Sequence, residues 1–146
     1  NKVAFSLSDL FCVERHHAEF LELIENSVDI LFGNEEEIKN LFKVSDIDKE
    51  VHKIMDACEI IAITLGSNGS IIIDDDVHFI NPQTGLNVVD TTGAGDLYAS
   101  GFLWGYSQGL SPKQCGELAT ITASEVIQHI GGRPAVNLAQ LVKARA

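Results

Sequence analysis

The sequence predicts an α/β fold, with a mostly parallel sheet flanked by helices and an antiparallel hairpin at one edge. Strand-like apolar runs alternate with runs whose apolar residues recur at helical spacing, which is typical of βαβ organisation. The apolar run 60–65 is the pattern of a central strand buried on both faces. Two short runs, 70–73 and 77–80, are separated by the turn Asp74-Asp75-Asp76, which predicts the antiparallel edge.

The first half of the chain contains two predicted strand–helix units. Residues 3–7 form a strand candidate, and the helix after it has one apolar face. The members of that face are Val13, His17, Phe20, Leu21 and Ile24. Residues 28–32 form the second strand candidate, followed by a short helix over 34–42. A further helix over 46–58 leads into the central strand.

The second half is predicted to be mainly helical. Residues 86–89 are interpreted as a short buried strand, followed by a helix over 97–106. A long helix begins near Ser111-Pro112, because proline is favoured at an early helical position. Its predicted inner face consists of Cys115, Leu118, Ala119, Thr122, Val126 and Ile130. Gly131-Gly132 ends that helix, and residues 136–146 form one more.

Composition excludes several classes of function. With a net charge of −11 and only ten Lys and Arg residues, which are scattered, we expect neither nucleic acid nor an anionic membrane as a partner. No apolar run approaches the roughly 18 residues of a membrane span. The cysteines Cys12, Cys58 and Cys115 are odd in number and far apart, which suggests no disulfide framework or zinc site. A cytoplasmic location fits this cysteine usage best.

The turn 90–96, with the sequence Asp-Thr-Thr-Gly-Ala-Gly-Asp, lies where a predicted strand gives way to a helix. Gly93 and Gly95 lack a Cβ and tolerate φ > 0, so successive N–H groups can converge there on an anion. The helix N-terminus adds a partial positive charge. Asp96 would then lie beside the anion, in reach of a substrate hydroxyl. The alternative is an ordinary βα turn in which Asp96 only complements the helix dipole.

Two other phosphate-binding motifs do not fit this turn. A dinucleotide-binding Gly-x-Gly-x-x-Gly needs glycine at position 98, which is Tyr98. A P-loop needs Gly-Lys followed by Ser or Thr, which occurs nowhere in the chain. Without a P-loop lysine, the phosphate charge must be met by Mg²⁺, backbone dipoles and residues outside this chain.

Residues 90–96, together with Ser100-Gly101-Phe102-Leu103, closely resemble the C-terminal signature of the PfkB, or ribokinase-like, carbohydrate kinase family. The resemblance implies transfer of the ATP γ-phosphoryl group to a hydroxyl, with Asp96 as catalytic base. It also implies that the backbone of Gly93, Ala94 and Gly95 forms the anion hole.

The turn Gly33-Asn34-Glu35-Glu36-Glu37 allows two compatible interpretations. Asn34 and Glu37 have the spacing of a helix capping box. They also resemble the family's Asn-x-x-Glu motif, which implies that they help to hold Mg²⁺ near the phosphates, usually through water. Their place after a predicted strand favours a functional role, since open α/β sheets bind ligands at the carboxyl ends of strands.

The run 64–69, Thr-Leu-Gly-Ser-Asn-Gly, is similar to a nucleotide-contacting loop of the family, although a simple hairpin turn also explains it. The resemblance implies nucleotide contacts at Thr64, Gly66 and Gly69, with adenine lying between this loop and the long helix at Thr120 and Ala123. The run 131–134, Gly-Gly-Arg-Pro, resembles a segment of adenosine-kinase-like members that borders a monovalent-cation site. A helix stop explains it equally well.

The recognised motifs all belong to the nucleotide and catalytic side of the family. We therefore expect residues 1–146 to be the C-terminal portion of a longer kinase, without the acceptor-binding half and its lid. An uncovered sheet edge makes a homodimer plausible. The resemblance favours an adenosine-type acceptor, with a free sugar or sugar phosphate as alternative. A non-catalytic nucleotide-binding module is the third hypothesis.

Overall fold

A computed structural model of the chain describes residues 1–145, which divide into two compact units. Unit 1 comprises Asn1–Gly66 and Ile71–Phe79. Unit 2 comprises Ser67–Ser70 and the described chain from Ile80 onward.

The sheet has five strands in the order β1-β2-β3-β4-β5. Their bounds are Ala4–Ser6, Ile30–Asn34, Ile60–Thr64, Ser70–Ile73 and Val77–Ile80. β1 pairs with β2, and β2 with β3, in parallel. Short turns join β3 to β4 and β4 to β5, and such direct connections require antiparallel neighbours. The predicted fold class, a mostly parallel sheet with an antiparallel edge, is confirmed.

Unit 1 adds short helices to these strands. They are α1 (Leu10–Arg15), α2 (His17–Ser27), α3 (Glu35–Phe42) and α4 (Ile47–Glu50). Side chains from strands and helices share one apolar core that includes Val13, Ile24, Leu31, Ile38, Leu41, Ile54, Ile61 and Ile63. All four residues of β3 from Ile60 to Ile63 are buried, as expected for a central strand.

Two helices of unit 1 differ from the prediction. The helix after β1 is broken at His16, which has φ −119° and separates α1 from α2. The helix predicted over 46–58 is only α4 and a 3₁₀ turn at Val51–Lys53. There the Glu50 carboxylate folds back and accepts hydrogen bonds from the Ser45 and Asp46 N–H groups at 2.7 and 3.0 Å. Apolar spacing alone carries no information about such local competition for backbone donors.

Unit 2 contains α5 (Ala94–Ser107), α6 (Pro112–Val126) and α7 (Leu138–Arg145). α5 and α6 approach closely because α5 presents glycine: a Cβ on Gly101 would overlap Thr122 Oγ1 and lie 3.0 Å from Ala119 Cα. The Thr122 hydroxyl donates to Leu97 O at 2.7 Å, so it also joins the two helices. As predicted, Pro112 occupies the first turn of α6.

Three predictions in unit 2 were wrong in detail. Residues 86–89 are not a strand; Val88 and Val89 are half exposed, and the Val89 N–H donates to Ile127 O at 2.8 Å instead of joining the sheet. α6 ends at Val126, so Ile130 lies beyond it and is 86% exposed. α7 is shorter than predicted, and Ala146 lies outside the described residues. Within residues 1–145, no helix has the length and apolar character needed to cross a membrane.

Candidate active site

α5 begins at a sharp backbone turn that contains the predicted anion-binding glycines. Gly93 is the N-cap residue and has φ 77° and ψ 3°, a left-handed conformation that favours glycine. Gly95 does not share this conformation, because it already lies in the first turn of α5. Asp96 is the acidic residue of that turn, and both Gly95 and Asp96 are exposed.

The start of α5 leaves backbone donors without partners. No side chain caps this helix, and among the described residues nothing accepts a hydrogen bond from the N–H groups of Gly93, Gly95 or Asp96. The Ala94 N–H differs, since it donates to Thr91 O at 3.1 Å. A Cβ on Gly95 would have no atom within 4 Å, so the space beside its backbone is open. Free donors, a positive helix end and open space together suit an anion.

The start of α3 is closed by its own side chains. Asn34 Oδ1 accepts the Glu37 N–H at 2.8 Å, and Glu37 Oε2 accepts the Asn34 N–H at 2.9 Å, so the predicted capping box is confirmed. Asn34 is exposed, whereas Glu37 is 6% exposed. Glu37 Oε1 makes no hydrogen bond to the described part of the chain and is available to a water or an ion.

Few side chains near Asn34 and Glu37 could serve as ligands of a metal ion. No group of three His, Cys, Asp or Glu side chains within the described chain is arranged to hold a metal ion. Magnesium tolerates this, because it keeps several waters and commonly binds one or two carboxylates plus phosphate oxygens. One free carboxylate oxygen on Glu37 therefore fits a water-mediated Mg²⁺ contact.

One predicted nucleotide-binding residue of unit 1, Thr64, lies beside the capping box. Thr64 is the register partner of Asn34 at the carboxyl ends of β3 and β2. Gly66 follows with φ 60°, is exposed, and has open space where a Cβ would lie. The structure thus brings Thr64 next to Asn34, at an end of the parallel strands where α/β sheets bind ligands.

The remaining predicted nucleotide-binding residues belong to unit 2. Gly69 has φ 91°, and a Cβ there would overlap Ile80 O, so the tight turn alone explains this glycine. Thr120 is buried, and its hydroxyl donates to Gly116 O at 2.9 Å within α6. Ala123 is half-buried on the same helix. The Thr120 hydroxyl is thus already committed to the α6 backbone, which limits its use in polar recognition of a ligand.

Asp90 is a residue of this region for which the sequence pattern predicts no role. Its Oδ1 accepts the Thr92 N–H at 2.9 Å and the Thr92 hydroxyl at 2.7 Å, and its Oδ2 accepts the Gly131 N–H at 2.9 Å. These bonds, the Thr92 hydroxyl foremost, lower the pKa of Asp90 to about 2. The Asp-x-Thr spacing is typical of an Asx turn, so the sequence could have predicted the two bonds from Thr92 to Asp90. Nothing in the sequence signals the bond to Gly131.

A second missed contact joins α5 to Ser70, the residue that follows Gly69. The Tyr98 hydroxyl donates to Ser70 Oγ at 2.7 Å, and both residues are buried. Burial raises the pKa of Tyr98 to about 12, so the phenol stays protonated and keeps donating. This bond therefore holds Ser70, the residue after Gly69, to Tyr98, which lies two residues after Asp96.

The chain matches one protein family and is similar to several known kinases. The model of the pfkB family carbohydrate kinases matches residues 9–138. The fold is similar to an adenosine kinase from Sinorhizobium meliloti, with a TM-score of 0.95 and 40% identity over 100% of this chain and 45% of that one. A probable sugar kinase from Rhizobium etli gives a TM-score of 0.94 and 41% identity, over 99% of this chain and 44% of that one.

A nucleoside kinase from Methanothermobacter thermautotrophicus is 37% identical over 112 residues, which are 76% of this chain and 35% of that protein. The chain therefore spans less than half the length of these three relatives.

Proposed function

Because the chain belongs to the pfkB family of carbohydrate kinases, we propose that it is the nucleotide-binding and catalytic portion of an enzyme that transfers the ATP γ-phosphoryl group to a hydroxyl of a small sugar or nucleoside. The observation that carries this proposal is the uncapped start of α5. Its free N–H groups and the exposed Asp96 stand together at one positive helix end.

The proposed reaction uses these groups in complementary ways. The bond between the γ-phosphorus and the ADP oxygen breaks as a bond to the acceptor oxygen forms, and the acceptor proton passes to the Asp96 carboxylate. The N–H groups of Gly93, Gly95 and Asp96, with Ala94 completing the turn, face the equatorial oxygens that carry the transition-state charge. Phosphoryl transfer has a loose transition state, so positioning and electrostatic stabilisation supply most of the rate enhancement.

We assign ATP and Mg²⁺ to the residues that the family motif implies. Glu37, through its free Oε1, and Asn34 orient hydrated Mg²⁺, which supplies charge for the phosphates when bound. Thr64, Gly66, Gly69, Thr120 and Ala123 are the proposed nucleotide contacts. Among these residues, Gly66 has the strongest structural support, because no atom lies within 4 Å of its Cβ position and a nucleotide could approach its backbone.

We propose an adenosine-type nucleoside as acceptor. Similarity to an adenosine kinase and a nucleoside kinase supports it, and similarity to a probable sugar kinase keeps a sugar or sugar phosphate as the second candidate. Turnover profiles of the complete enzyme with adenosine, ribose, fructose and fructose phosphates separate the two. ATP binding without turnover of any acceptor would instead indicate a non-catalytic nucleotide-binding module.

Three further parts of the proposal concern the whole protein. The acceptor-binding half and lid lie outside residues 1–146, which agrees with the partial coverage of the relatives. A monovalent cation near the 131–134 loop and a homodimer formed through an uncovered sheet edge remain predictions, as does a cytoplasmic location.

The experiment that tests the proposed function is Asp96→Asn in the complete enzyme. Asparagine keeps the backbone donors but loses the carboxylate, so kcat should fall by roughly 10²–10⁴-fold while ATP still binds. The matched control is Asp48→Asn, because Asp48 is also an exposed acid in the first turn of a helix, α4. An Asp96 that only complements the helix dipole would behave like Asp48, with kcat kept above about a third of wild type and only a change of about 0.3–1 kcal/mol in stability.

A further inference from the structure

Two residues after Asp96, α5 carries a tyrosine whose hydroxyl group is buried. Tyr98 is 4% exposed, and its hydroxyl donates a hydrogen bond to Ser70 Oγ at 2.7 Å. Ser70 is 1% exposed, so water does not reach either side of this bond. Removing one of two buried partners leaves the other without a hydrogen bond, which costs more than removing both. The bond is therefore a specific link between α5 and the start of β4.

Ser70 directly follows the turn at residues 67–69, which belongs to unit 2 together with α5. Ser67 and Asn68 are exposed on this turn. A Cβ on Gly69 would overlap Ile80 O, so the backbone of the turn lies directly against the end of β5. The turn is thus packed on β5 through Gly69 and bonded to α5 through the next residue.

The helix is held on a second side immediately beside Asp96. The carbonyl oxygen of Leu97 accepts a hydrogen bond from the Thr122 hydroxyl of α6 at 2.7 Å. The two residues that follow Asp96 are therefore bonded to different elements, Leu97 to α6 and Tyr98 to β4. Because Asp96 itself is exposed, its position depends on the α5 backbone that these two bonds hold.

We propose that Tyr98 is a positioning residue: through Ser70 it holds the 67–69 turn at a fixed place relative to Asp96. This inference rests on the proposed phosphoryl transfer, in which the turn contacts the nucleotide at Gly69 and Asp96 accepts the proton of the acceptor. The bond then aligns the γ-phosphoryl group with Asp96, while Tyr98 touches no substrate. A misplacement of about 1 Å can cost on the order of 10²-fold in rate, so partial loss of alignment is measurable.

The test is Tyr98→Phe in the complete enzyme, which keeps the buried ring and removes only the hydroxyl. We expect kcat to fall by about tenfold, whereas the Kd for ATP and the KM for the acceptor should change by less than about twofold, because alignment of the reacting groups is lost and not the contacts that bind them. Tyr106→Phe is the matched control. Tyr106 lies two turns further along α5, and its hydroxyl makes no hydrogen bond to the described residues, so kcat should not change.

A double variant separates positioning from stability. Tyr98→Phe and Ser70→Ala each leave one buried hydroxyl without a partner, and each should lower the melting temperature. The double variant removes both hydroxyls and should recover much of that loss. If the bond positions Asp96, kcat should stay about tenfold low in the double variant although its melting recovers. The double variant also carries the test if a single variant does not fold.

Three outcomes would overturn the positioning role and leave the proposed function intact, provided that Asp96→Asn is inactive. They are wild-type kcat in Tyr98→Phe, a loss confined to ATP affinity, and recovery of kcat together with melting in the double variant. The last outcome would show that the bond only stabilises the fold. An active Asp96→Asn enzyme would instead overturn the proposed function and this inference with it.

Discussion

The starts of α3 and α5 present opposite solutions to the same problem. Every α-helix begins with N–H groups that lack partners inside the helix. In α3 the side chains of Asn34 and Glu37 satisfy two of them reciprocally, the N–H groups of Asn34 and Glu37, whereas α5 starts at Gly93 with no side-chain cap. A capped start gains stability, while an uncapped start beside open space retains donors that a ligand can use. The start of α3 therefore serves stability, and the start of α5 is available to a ligand.

A third helix start, that of α6, also has a capping box. At α6 the capping box is made by Ser111 and Gln114, with Gln114 Oε1 accepting the Ser111 N–H at 3.1 Å. A neutral amide therefore completes the same motif in this chain that Glu37 completes with a carboxylate. Capping alone does not require the charge of Glu37, and that leaves the charge free for another role.

The largest effect should come from testing the 146-residue chain alone. In our proposal α5 supplies charge stabilisation and the orienting carboxylate, but the acceptor pocket lies elsewhere in the complete enzyme. Turnover of adenosine or sugars by the 146-residue chain should therefore be lower than in the complete enzyme by orders of magnitude, because orientation of the acceptor and exclusion of water are lost. ATP-dependent phosphorylation and mass in solution are the measurements. Robust turnover by a monomer would show that the chain is a complete kinase and would also remove the proposed homodimer.

Substituting Gly93 tests whether its left-handed conformation and its close approach to Gly132 are needed for activity. Gly93→Ala forces a Cβ into a left-handed residue and to 2.9 Å from Gly132 Cα. Gly109→Ala is the control, since Gly109 has a similar φ of 79° but no atom within 4 Å of its Cβ position. We expect Gly109→Ala to cost about 1–2 kcal/mol of stability, the usual left-handed penalty, with activity kept.

Gly93→Ala should cost more stability than Gly109→Ala and should lower kcat in addition. Thermal unfolding and kcat of the complete enzyme report the two effects separately. Equal losses of stability in the two variants, with kcat unchanged in both, would mean that the contact between Gly93 and Gly132 is not needed.

The smallest effect is expected at α3, where Glu37→Gln should leave the cap and alter the metal. The natural Gln114 predicts that the capping box survives, so the change in stability should stay below about 1 kcal/mol. The Mg²⁺ concentration for half-maximal activity should rise, because the free oxygen of Glu37 loses its charge. Gln114→Glu is the reciprocal control and should change neither quantity. A shift in melting with unchanged Mg²⁺ dependence would leave Glu37 a capping residue only.

The α/β class, most strand positions, the capping box at Asn34, the turn at Gly93 and the helix start near Ser111 follow from the sequence alone. These features depend on periodicity, on turn residues and on pairs of groups three residues apart, all of which are local in the chain. Local signals failed where tertiary partners decided the outcome: residues 86–89 have strand-like composition, yet the Val89 N–H bonds to Ile127 O and residues 87–89 are exposed.

The start of α5 is held by contacts between segments of unit 2 that are distant in sequence. The Asp90–Gly131 bond and the contact of Gly93 with Gly132 join segments about forty residues apart in sequence, with α5 and α6 between them. Tyr98 and Ser70, likewise remote in sequence, meet only in the folded chain. Such contacts form because burial and backbone hydrogen bonding are satisfied across the whole fold, and no local pattern of residue types encodes them.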